Sequence, residues 1–390
     1  MAKPSDISPW ALAVAGGIGF AYLMNFARLA FAHSWLLDAD GHPLATDFLS
    51  FWSAGRLALS GRAAEAYDWP AMHVLQSALM HHAANGFLGW AYPPLFFVIA
   101  VLLALLPYNV ALLTWIGASA ALFLASIARI AQDRGAALLA MAAPASLACA
   151  TVGQNGFLTA ALIAGALLQL EARPLLAGLL LGLLTYKPQF GLLFPLALIF
   201  GGHRRAFASA VFTTGAILFF SWLAAPDSLV AFARHLGGMS NDFLSHGGAG
   251  FYKLQSLYGL LRTIGVSDDG AFAAQTILFL AIATFIAWLW RNGRDFSLKC
   301  AGLCVATLLA TPYLFLYDFP ILSIAVAFLW RARPSDRVET ILLLLSQLAV
   351  ASFVLVSAPT GLLASTLTLF VAARRLTEPA VKTTPQVQPA

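Results

Sequence analysis

One aspartate in this sequence is well placed to remove a proton from a hydroxyl group. Asp47 stands shortly after the first apolar segment, residues 10–32, so it should lie close to a membrane surface. General base catalysis by such a carboxylate typically accelerates a reaction by about 10²–10⁴. The same residue, directly after Thr46, could instead cap a helix and stabilise it by about 1 kcal/mol. The residues alone leave both roles open.

Two pairs of polar residues interrupt the apolar segments further along the chain. Gln154 and Asn155 form the centre of a Gly-Gln-Asn-Gly sequence, which is either a tight turn or an amide pair for sugar hydroxyls. Lys187 and Gln189 lie between two short apolar segments. A lysine so near the hydrocarbon either extends its ammonium group to water or meets an anion, for which a phosphate is suitable.

A fourth polar group ends an aromatic stretch late in the chain. Tyr317 and Asp318 follow residues 311–316 at the end of an apolar segment. Tyrosine is ordinary at membrane interfaces, and Asp318 could simply begin a helix before Pro320. Spacing alone therefore does not separate a binding role from a structural one.

The sequence does not indicate a metal site. No histidine pair has the His-x-x-x-His spacing together with a carboxylate partner, so we predict no metal and no cofactor, while a divalent metal is left open. The chain also lacks a P-loop, a Rossmann glycine pattern and a nucleophile elbow, which argues against nucleotide-sugar chemistry on a soluble fold. Seven of the eight histidines fall in two polar loops: His33, His42, His73, His81, His82, His235 and His246.

The composition requires lipid as the solvent for much of the chain. Of its 390 residues 60% are hydrophobic and 10% charged, whereas a soluble domain has about a quarter charged residues. We predict an all-α polytopic membrane protein with about 11–13 transmembrane helices, in one domain over 1–376 with a disordered tail over 377–390. The apolar segments are 10–32, 93–106, 109–128, 136–152, 156–170, 174–186, 188–201, 206–225, 271–290, 297–311, 315–330, 338–357 and 359–373.

Arginine clusters between the apolar segments orient the chain. By the positive-inside rule these clusters are cytoplasmic, so the net charge of +5 reflects topology rather than nucleic-acid binding. The alternation then places every candidate residue above at the outer face. The arginine clusters are Arg204-Arg205, Arg291 with Arg294, Arg331 with Arg333 and Arg337, and Arg374-Arg375. The predicted outer loops are 33–92, 152–156, 185–189, 226–270 and 311–318.

One segment conflicts with this orientation. If 93–106 and 109–128 both span, Arg129 and Arg134 lie outside, against the rule. Segment 93–106 is short and could dip into the membrane without crossing it. The preceding loop, 33–92, carries two amphipathic stretches, 48–59 and 70–84, that are typical of helices lying in the interface plane.

Taken in order, these motifs resemble glycosyltransferase family 87. The run from Asp47 through Phe51-Trp52, Ala54-Gly55-Arg56, Gly61 and Tyr67-Asp68 is similar to that family's first outer loop. The similarity covers about residues 45–320, and each motif is weak alone while their joint order is more specific. The further matches are Tyr92-Pro93-Pro94, Leu106-Pro107-Tyr108, Gly153-Gln154-Asn155, Lys187-Pro188, Gln255-Ser256-Leu257 and Tyr317-Asp318.

The resemblance implies a mannosyltransferase of the multi-spanning C-type superfamily that uses polyprenyl-phosphate-mannose at the outer face of the bacterial inner membrane. It implies that Asp47 deprotonates the acceptor, and that a single displacement inverts the anomeric carbon as polyprenyl phosphate leaves. It also implies phosphate partners, with Lys187 first and Arg56 and Lys253 behind it. Candidates for sugar and acceptor binding are Gln154, Asn155, Gln189, Gln255, Tyr317 and Asp318.

The family pattern and this chain differ at one position. Some relatives place a histidine pair where this sequence has Tyr317-Asp318, which bears on the acceptor and on any second acid or base. The family pattern also favours 93–106 as an ordinary span.

The main alternative function for a polytopic chain is a transporter or flippase, which commonly has inverted repeats and a midplane site, and neither is indicated here. An O-antigen polymerase or ligase is expected to have a large late outer loop, which this chain lacks.

Overall fold

The computed structural model describes residues 7–81, 88–240, 247 and 250–377, and every regular element in these ranges is helical. The α-helices are α1 Pro9–Phe31, α2 Asp47–Leu59, α3 Trp69–Met80, α4 Phe97–Ala104, α5 Tyr108–Ala131, α6 Arg134–Ala142, α7 Pro144–Val152, α8 Gly156–Gln169, α9 Pro174–Leu183, α10 Phe194–Phe200, α11 Arg204–Ala224, α12 Pro226–Ser240, α13 Leu257–Thr263, α14 Asp268–Asn292, α15 Phe296–Ala310, α16 Pro320–Ala332, α17 Arg337–Ser352 and α18 Thr360–Thr377. Short 3₁₀ helices cover Ala63–Tyr67, Pro94–Phe96, Leu184–Tyr186, Pro188–Phe190, Phe251–Lys253 and Leu316–Asp318.

Four of these helices are long and apolar enough to cross a membrane, namely α1, α5, α11 and α14. Helices α6 and α7 meet at a bend of 65° and make a fifth span if they count as one. The prediction of an all-α polytopic membrane protein is thus confirmed. The remaining apolar helices are shorter, at 10–17 residues, so the number of 11–13 crossings stays a prediction.

The segment 93–106 is too short to cross as a straight helix. Its helical part, Pro94–Ala104, extends about 16 Å, roughly half of the hydrocarbon core. Helix α4 packs closely against α2, because a Cβ on Gly55 would lie 2.1 Å from the carbonyl oxygen of Ala100. A dip into the membrane and a full crossing both remain predictions for this segment.

Helix α2 lies over an aromatic core rather than on lipid alone. It begins at Asp47, one residue before the predicted start, and its Phe48 and Phe51 are fully buried. The Phe51 ring meets Trp90, Phe96 and Trp115 edge to face, with centroids 5.4–6.3 Å apart. Such pairs add about 0.5–1.5 kcal/mol beyond their buried area, so this core holds the start of α2 firmly.

The two long polar loops pack against each other. Helix α12, in the loop 226–270, contacts the 3₁₀ helix Ala63–Tyr67, which lies between α2 and α3 in the first loop. The Phe232 ring lies 5.8 Å from that of Tyr67, and the His235 ring lies 4.4 Å from that of Trp69. Two of the loop histidines, His82 and His246, lie outside the described residues, as do the end of the 70–84 stretch and the tail after Thr377.

Helices α15 and α16 form the centre of the bundle. Twelve of the fifteen residues of α15 are buried, and α16 packs along α15, α8 and α5. The short connection between α15 and α16 contains Leu316–Asp318, and it reaches the start of α8. There a Cβ on Gly156 would lie 1.7 Å from the carbonyl oxygen of Tyr317, so only glycine allows this contact. The bundle therefore brings three polar sequence motifs to one end.

Candidate active site

Asp47 occupies the first position of α2 and remains partly exposed. The preceding Thr46 has an extended backbone, and its hydroxyl lies 2.9 Å from the hydroxyl of Tyr108, which fixes how the chain enters the helix. The Nε2 of Gln154 donates a hydrogen bond of 3.1 Å to Oδ2 of Asp47. Within the described residues this is the one hydrogen bond to the Asp47 carboxylate, so Oδ1 remains available to a ligand.

The position of Gln154 follows from a glycine turn after α7. Gly153 has a φ of +67°, a left-handed conformation that ends the helix and that glycine adopts without strain. A Cβ there would lie 2.8 Å from Cβ of Phe48, so the turn also lies directly against α2. The Gly-Gln-Asn-Gly sequence is therefore a tight turn, and this turn carries Gln154 to Asp47.

The amide of Gln154 is oriented by two donors on its oxygen. Oε1 accepts a hydrogen bond of 3.0 Å from the Tyr92 hydroxyl and one of 3.1 Å from the backbone N–H of Asn155. With both donors on the oxygen, the NH₂ group has to face Asp47. Tyr92 is thus a member of the site that sequence reasoning did not select, although it belongs to a motif that carried the family resemblance.

Lys187 and Asp318 form a buried ion pair beside Asp47. Nζ of Lys187 lies 2.6 Å from Oδ1 of Asp318, and their side chains are 6% and 2% exposed. The other carboxylate oxygen of Asp318 accepts a hydrogen bond from the backbone N–H of Phe315. The ammonium group also lies 5.0 Å from the centre of the Tyr317 ring. Since an ammonium group has three donors, the pair leaves Lys187 with donors for a further anion.

Lys187 owes its position to a break between two short helices. The 3₁₀ helix Leu184–Tyr186 ends before it, and Pro188 begins the next one, so the lysine backbone is not helical and has φ −133° and ψ +71°. The hydroxyl of Tyr186 lies 2.6 Å from that of Thr159 on α8, which anchors the break to the bundle. We call the polar and aromatic residues gathered here the Asp47 cluster, which comprises Asp47, Tyr92, Gln154, Lys187, Tyr317 and Asp318.

The electrostatic environment of Asp47 suits a base. In the loop between α1 and α4, burial raises the pKa of the Asp47 carboxyl above its usual range, because the charged form loses water. The hydrogen bond from Gln154 and the charges of Lys187 and Lys253 act in the opposite direction, while Asp318 adds to the rise. A carboxylate with a raised pKa accepts a proton more readily than an ordinary aspartate.

Three further predicted site residues are not members of the Asp47 cluster. Arg56 is exposed at the far end of α2, about 14 Å along the helix from Asp47, and its guanidinium lies 5.5 Å from the centre of the Trp52 ring. Gln189 is partly exposed, and no hydrogen bond joins its side chain to the Asp47 cluster in the described residues. Lys253 is exposed beside the cluster, and its charge acts on Asp47.

Gln255 holds the chain rather than offering its amide to a ligand. It is 1% exposed, its Oε1 accepts from the backbone N–H of Gly361, and its Nε2 donates to the carbonyl groups of Tyr252 and Lys253. These bonds occupy both ends of the amide. The geometry therefore favours a structural role, which connects the start of α18 to the short helix that presents Lys253.

Asn155 differs from Gln255 in that no described residue bonds to its side-chain amide. It is fully buried, and neither Oδ1 nor Nδ2 has a hydrogen-bond partner in the described part of the chain. An unpaired buried amide costs about 1–3 kcal/mol, so such groups are normally satisfied by water or a ligand. Asn155 directly follows Gln154, which makes its amide a candidate for substrate recognition.

A separate group of potential metal ligands lies ahead of α2. One oxygen or nitrogen from each of Asp38, Asp40 and His42 lies within 4.8 Å of the others. The Asp38 carboxylate already accepts hydrogen bonds from the backbone N–H groups of Asp40 and His42, so it shapes its own turn. This arrangement is typical of an Asx turn, so we do not assign a metal site to this group.

The fold and the site define a polytopic membrane protein with a carboxylate, a buried cation and neutral amide groups at one end of the helix bundle. A sequence model of glycosyltransferase family 87 matches residues 90–312, more than half of the chain, and the protein belongs to this family. The match includes Tyr92, Gln154 and Lys187, whereas Asp47 and Asp318 lie outside it. Among curated proteins and among solved structures, none matches this chain.

Proposed function

We propose that this glycosyltransferase moves a hexose, and specifically mannose, from a polyprenyl-phosphate donor to a hydroxyl group of a lipid or glycan acceptor. The reaction takes place at the outer face of the bacterial inner membrane, where the predicted topology puts the Asp47 cluster. The membrane helices support a lipid-linked donor, since the site lies at the end of an apolar bundle. Family membership supports group transfer rather than the transporter or flippase alternative.

In the proposed reaction Asp47 is the general base. The acceptor hydroxyl approaches the free Oδ1 while Gln154 holds Oδ2, so the carboxylate has one oxygen for positioning and one for the proton. The acceptor oxygen forms a bond to the anomeric carbon as the bond to the phosphate oxygen breaks. The proton passes to Asp47, the electron pair leaves with polyprenyl phosphate, and the anomeric carbon is inverted in this single displacement.

The departing phosphate needs positive charge. Lys187 is the first candidate, with one donor on Asp318 and others available, so Asp318 acts to orient the ammonium group. Lys253 supplies a second cation from the exposed side, while Arg56 lies too far along α2 to join it without a long substrate. Preorganised charges of this kind typically contribute about 10²–10³ in rate per group.

The sugar is held by neutral groups. The unpaired amide of Asn155 supplies a donor and an acceptor, and the Tyr317 ring beside Lys187 supplies an apolar surface. Both features suit a hexose, whose hydroxyl groups need donors and acceptors and whose ring has apolar faces. Gln189 remains a prediction for the acceptor side.

The observation that carries this proposal is the hydrogen bond between Gln154 and a partly exposed Asp47 beside a buried lysine. The test is transfer in proteoliposomes from radiolabelled polyprenyl-phosphate-mannose to extracted membrane lipids, comparing wild type with Asp47→Asn. We expect the variant to lose about 10²–10⁴ in rate because it cannot accept a proton. Asp40→Asn, which changes an exposed aspartate of the same loop, should keep full activity.

Two outcomes would contradict the proposal. Undiminished transfer by Asp47→Asn would remove Asp47 as the base. Movement of the labelled donor across the bilayer by the wild type, with no labelled product formed, would favour the flippase. Competition by other polyprenyl-phosphate sugars, such as glucose or arabinose, tests the choice of mannose separately.

A further inference from the structure

A second charged feature lies where α9 and α11 begin. An open cavity of about 630 Å³ with an almost wholly apolar surface lies there, and its lining residues are Arg173, Pro174, Leu175, Leu176 and Arg205. The two arginines come from different helices and are exposed, and Leu175 is 65% exposed. Neither guanidinium forms an ion pair or side-chain hydrogen bond within the part of the chain that the structure describes. This site does not use any residue of the Asp47 cluster.

The helices around this cavity are held closely together. Oγ of Ser209 donates a hydrogen bond of 2.7 Å to the carbonyl oxygen of Leu175, next to the cavity. One turn further on, a Cβ on Gly178 would lie 2.4 Å from the carbonyl oxygen of Ala206, so the two backbones touch. The distance between Arg173 and Arg205 is therefore set by a rigid helix pair.

The charges near the cavity leave an excess of positive charge. Arg204 is exposed beside Arg205 at the start of α11. Glu171 is exposed nearby, and its charge acts on His203, at the N-cap of α11. Among these four exposed residues, three arginines outnumber one carboxylate. An anion that enters between the two helices can meet guanidinium groups from both of them.

We propose that an anionic phospholipid binds here, with its acyl chain on the apolar surface of the cavity and its headgroup phosphate on the exposed Arg173 and Arg205 beside it. Guanidinium groups bind phosphate oxygens in a bidentate manner, and two of them from adjacent helices can hold one phosphodiester. The exposed Leu175 and the apolar surface of α11 then lie alongside the acyl chains. Basic pockets between membrane helices are suited to such headgroups, and this one is formed by residues with no other partner.

Native mass spectrometry of the full-length protein in detergent tests the site. The protein is titrated with phosphatidylglycerol or with phosphatidylcholine of the same acyl chains. We expect tighter binding of phosphatidylglycerol, and a loss of roughly tenfold in its affinity for the Arg173→Gln/Arg205→Gln variant. The matched control is Arg291→Gln/Arg294→Gln, which removes two exposed arginines at the end of α14 and should retain wild-type affinity.

Three results would overturn this inference. They are equal binding of the two lipids, equal loss of affinity in both double variants, and displacement of phosphatidylglycerol by millimolar inorganic phosphate. The last result would mean that the cavity takes free phosphate rather than a lipid. Thermal unfolding of each variant is measured alongside, since exposed arginines should not change the melting temperature.

Discussion

Two buried ionic groups lie at opposite ends of α16, and their hydrogen bonding differs greatly. Beyond its C-terminal end, Glu339 is fully buried and accepts four hydrogen bonds from the guanidinium groups of Arg333 and Arg375. The backbone N–H of Asp336 donates a fifth. Arg375 also donates to the carbonyl oxygen of Leu329, at the end of α16. This Glu339 network therefore leaves hardly any polar atom without a partner.

At the N-terminal end of α16 the polar groups are poorly satisfied. Asp47 accepts one hydrogen bond in the described residues, and the buried amide of Asn155 has none. Lys187 and Asp318 pair, but the ammonium group has donors left over. The first arrangement stabilises a fold, whereas the second keeps polar groups ready for a ligand at a cost in stability. The variants that follow test this difference.

The largest expected effect is on stability, at the Glu339 network. Glu339→Gln removes the negative charge and leaves Arg375, whose side chain is 1% exposed, without its counter-ion. Breaking a buried pair in this way costs about 3–5 kcal/mol. We expect a clear fall in melting temperature in detergent, with transfer activity retained at low temperature because the Asp47 cluster lies at the other end of α16.

The matched control for that variant is Glu65→Gln. Glu65 pairs with Arg62 at the surface of the first loop, and exposed pairs contribute little to stability. If Glu339→Gln melts at the same temperature as this control, the Glu339 network does not stabilise the protein as we infer.

The buried pair in the Asp47 cluster should respond in two ways. Lys187→Met leaves Asp318 buried and uncompensated, so we expect a loss of about 3 kcal/mol, and the Lys187→Met/Asp318→Leu variant should recover much of it. Transfer should nevertheless stay about 10²-fold low in the double variant, because the cation for the phosphate is missing. Wild-type transfer by a stable double variant would show that Lys187 serves only to hold Asp318.

Asn155 offers the most direct contrast between stability and activity. Asn155→Ala removes an amide that is buried without a partner, and no N-cap hydrogen bond is lost because the side chain makes none. We expect the protein to become more stable by about 1 kcal/mol while transfer falls roughly tenfold. Melting temperature and initial rate are measured on the same preparation.

Ser53→Ala is the matched control for Asn155→Ala. The Ser53 hydroxyl is also fully buried without a partner in the described residues, but it lies on α2 away from Gln154. It should raise stability and leave transfer unchanged. A fall in transfer in both variants, or in neither, would remove Asn155 from the proposed sugar site.

Much of this picture follows from physical rules that act along the chain. The length of the apolar segments predicts the helices, and the placement of the arginines predicts their orientation. The scarcity of ionisable residues singles out Asp47, Lys187 and Asp318. Their partners cannot be predicted in this way, because Gln154 and Asp47 are 107 positions apart and Lys187 and Asp318 are 131 positions apart. Only packing of the helices determines such contacts.

The same limit explains the candidates that the structure places elsewhere. Arg56 shares α2 with Asp47, but a helix separates residues nine positions apart by about 14 Å. Gln255 stands in a motif of the family, yet its amide bonds to backbone groups of α18 and its own loop, which a linear pattern does not reveal. A motif identifies a polar residue, and the fold decides whether its polar atoms are free.

The smallest expected effects concern the pH dependence of transfer. Asp47 acts as a base when it is deprotonated, so kcat/KM should fall as pH drops through its pKa. The hydrogen bond from Gln154 lowers that pKa, so Gln154→Leu should move the acid limb of the profile to higher pH.

Tyr92→Phe should move the acid limb in the same direction by less, since the backbone N–H of Asn155 still donates to Oε1 of Gln154. A merely structural tyrosine would lower the rate at all pH values equally, as we expect for any effect of Tyr22→Phe on α1, whose hydroxyl donates to the carbonyl oxygen of Ala142. An acid limb that stays in place in both Gln154→Leu and Tyr92→Phe would mean that the group titrating in the profile is not Asp47.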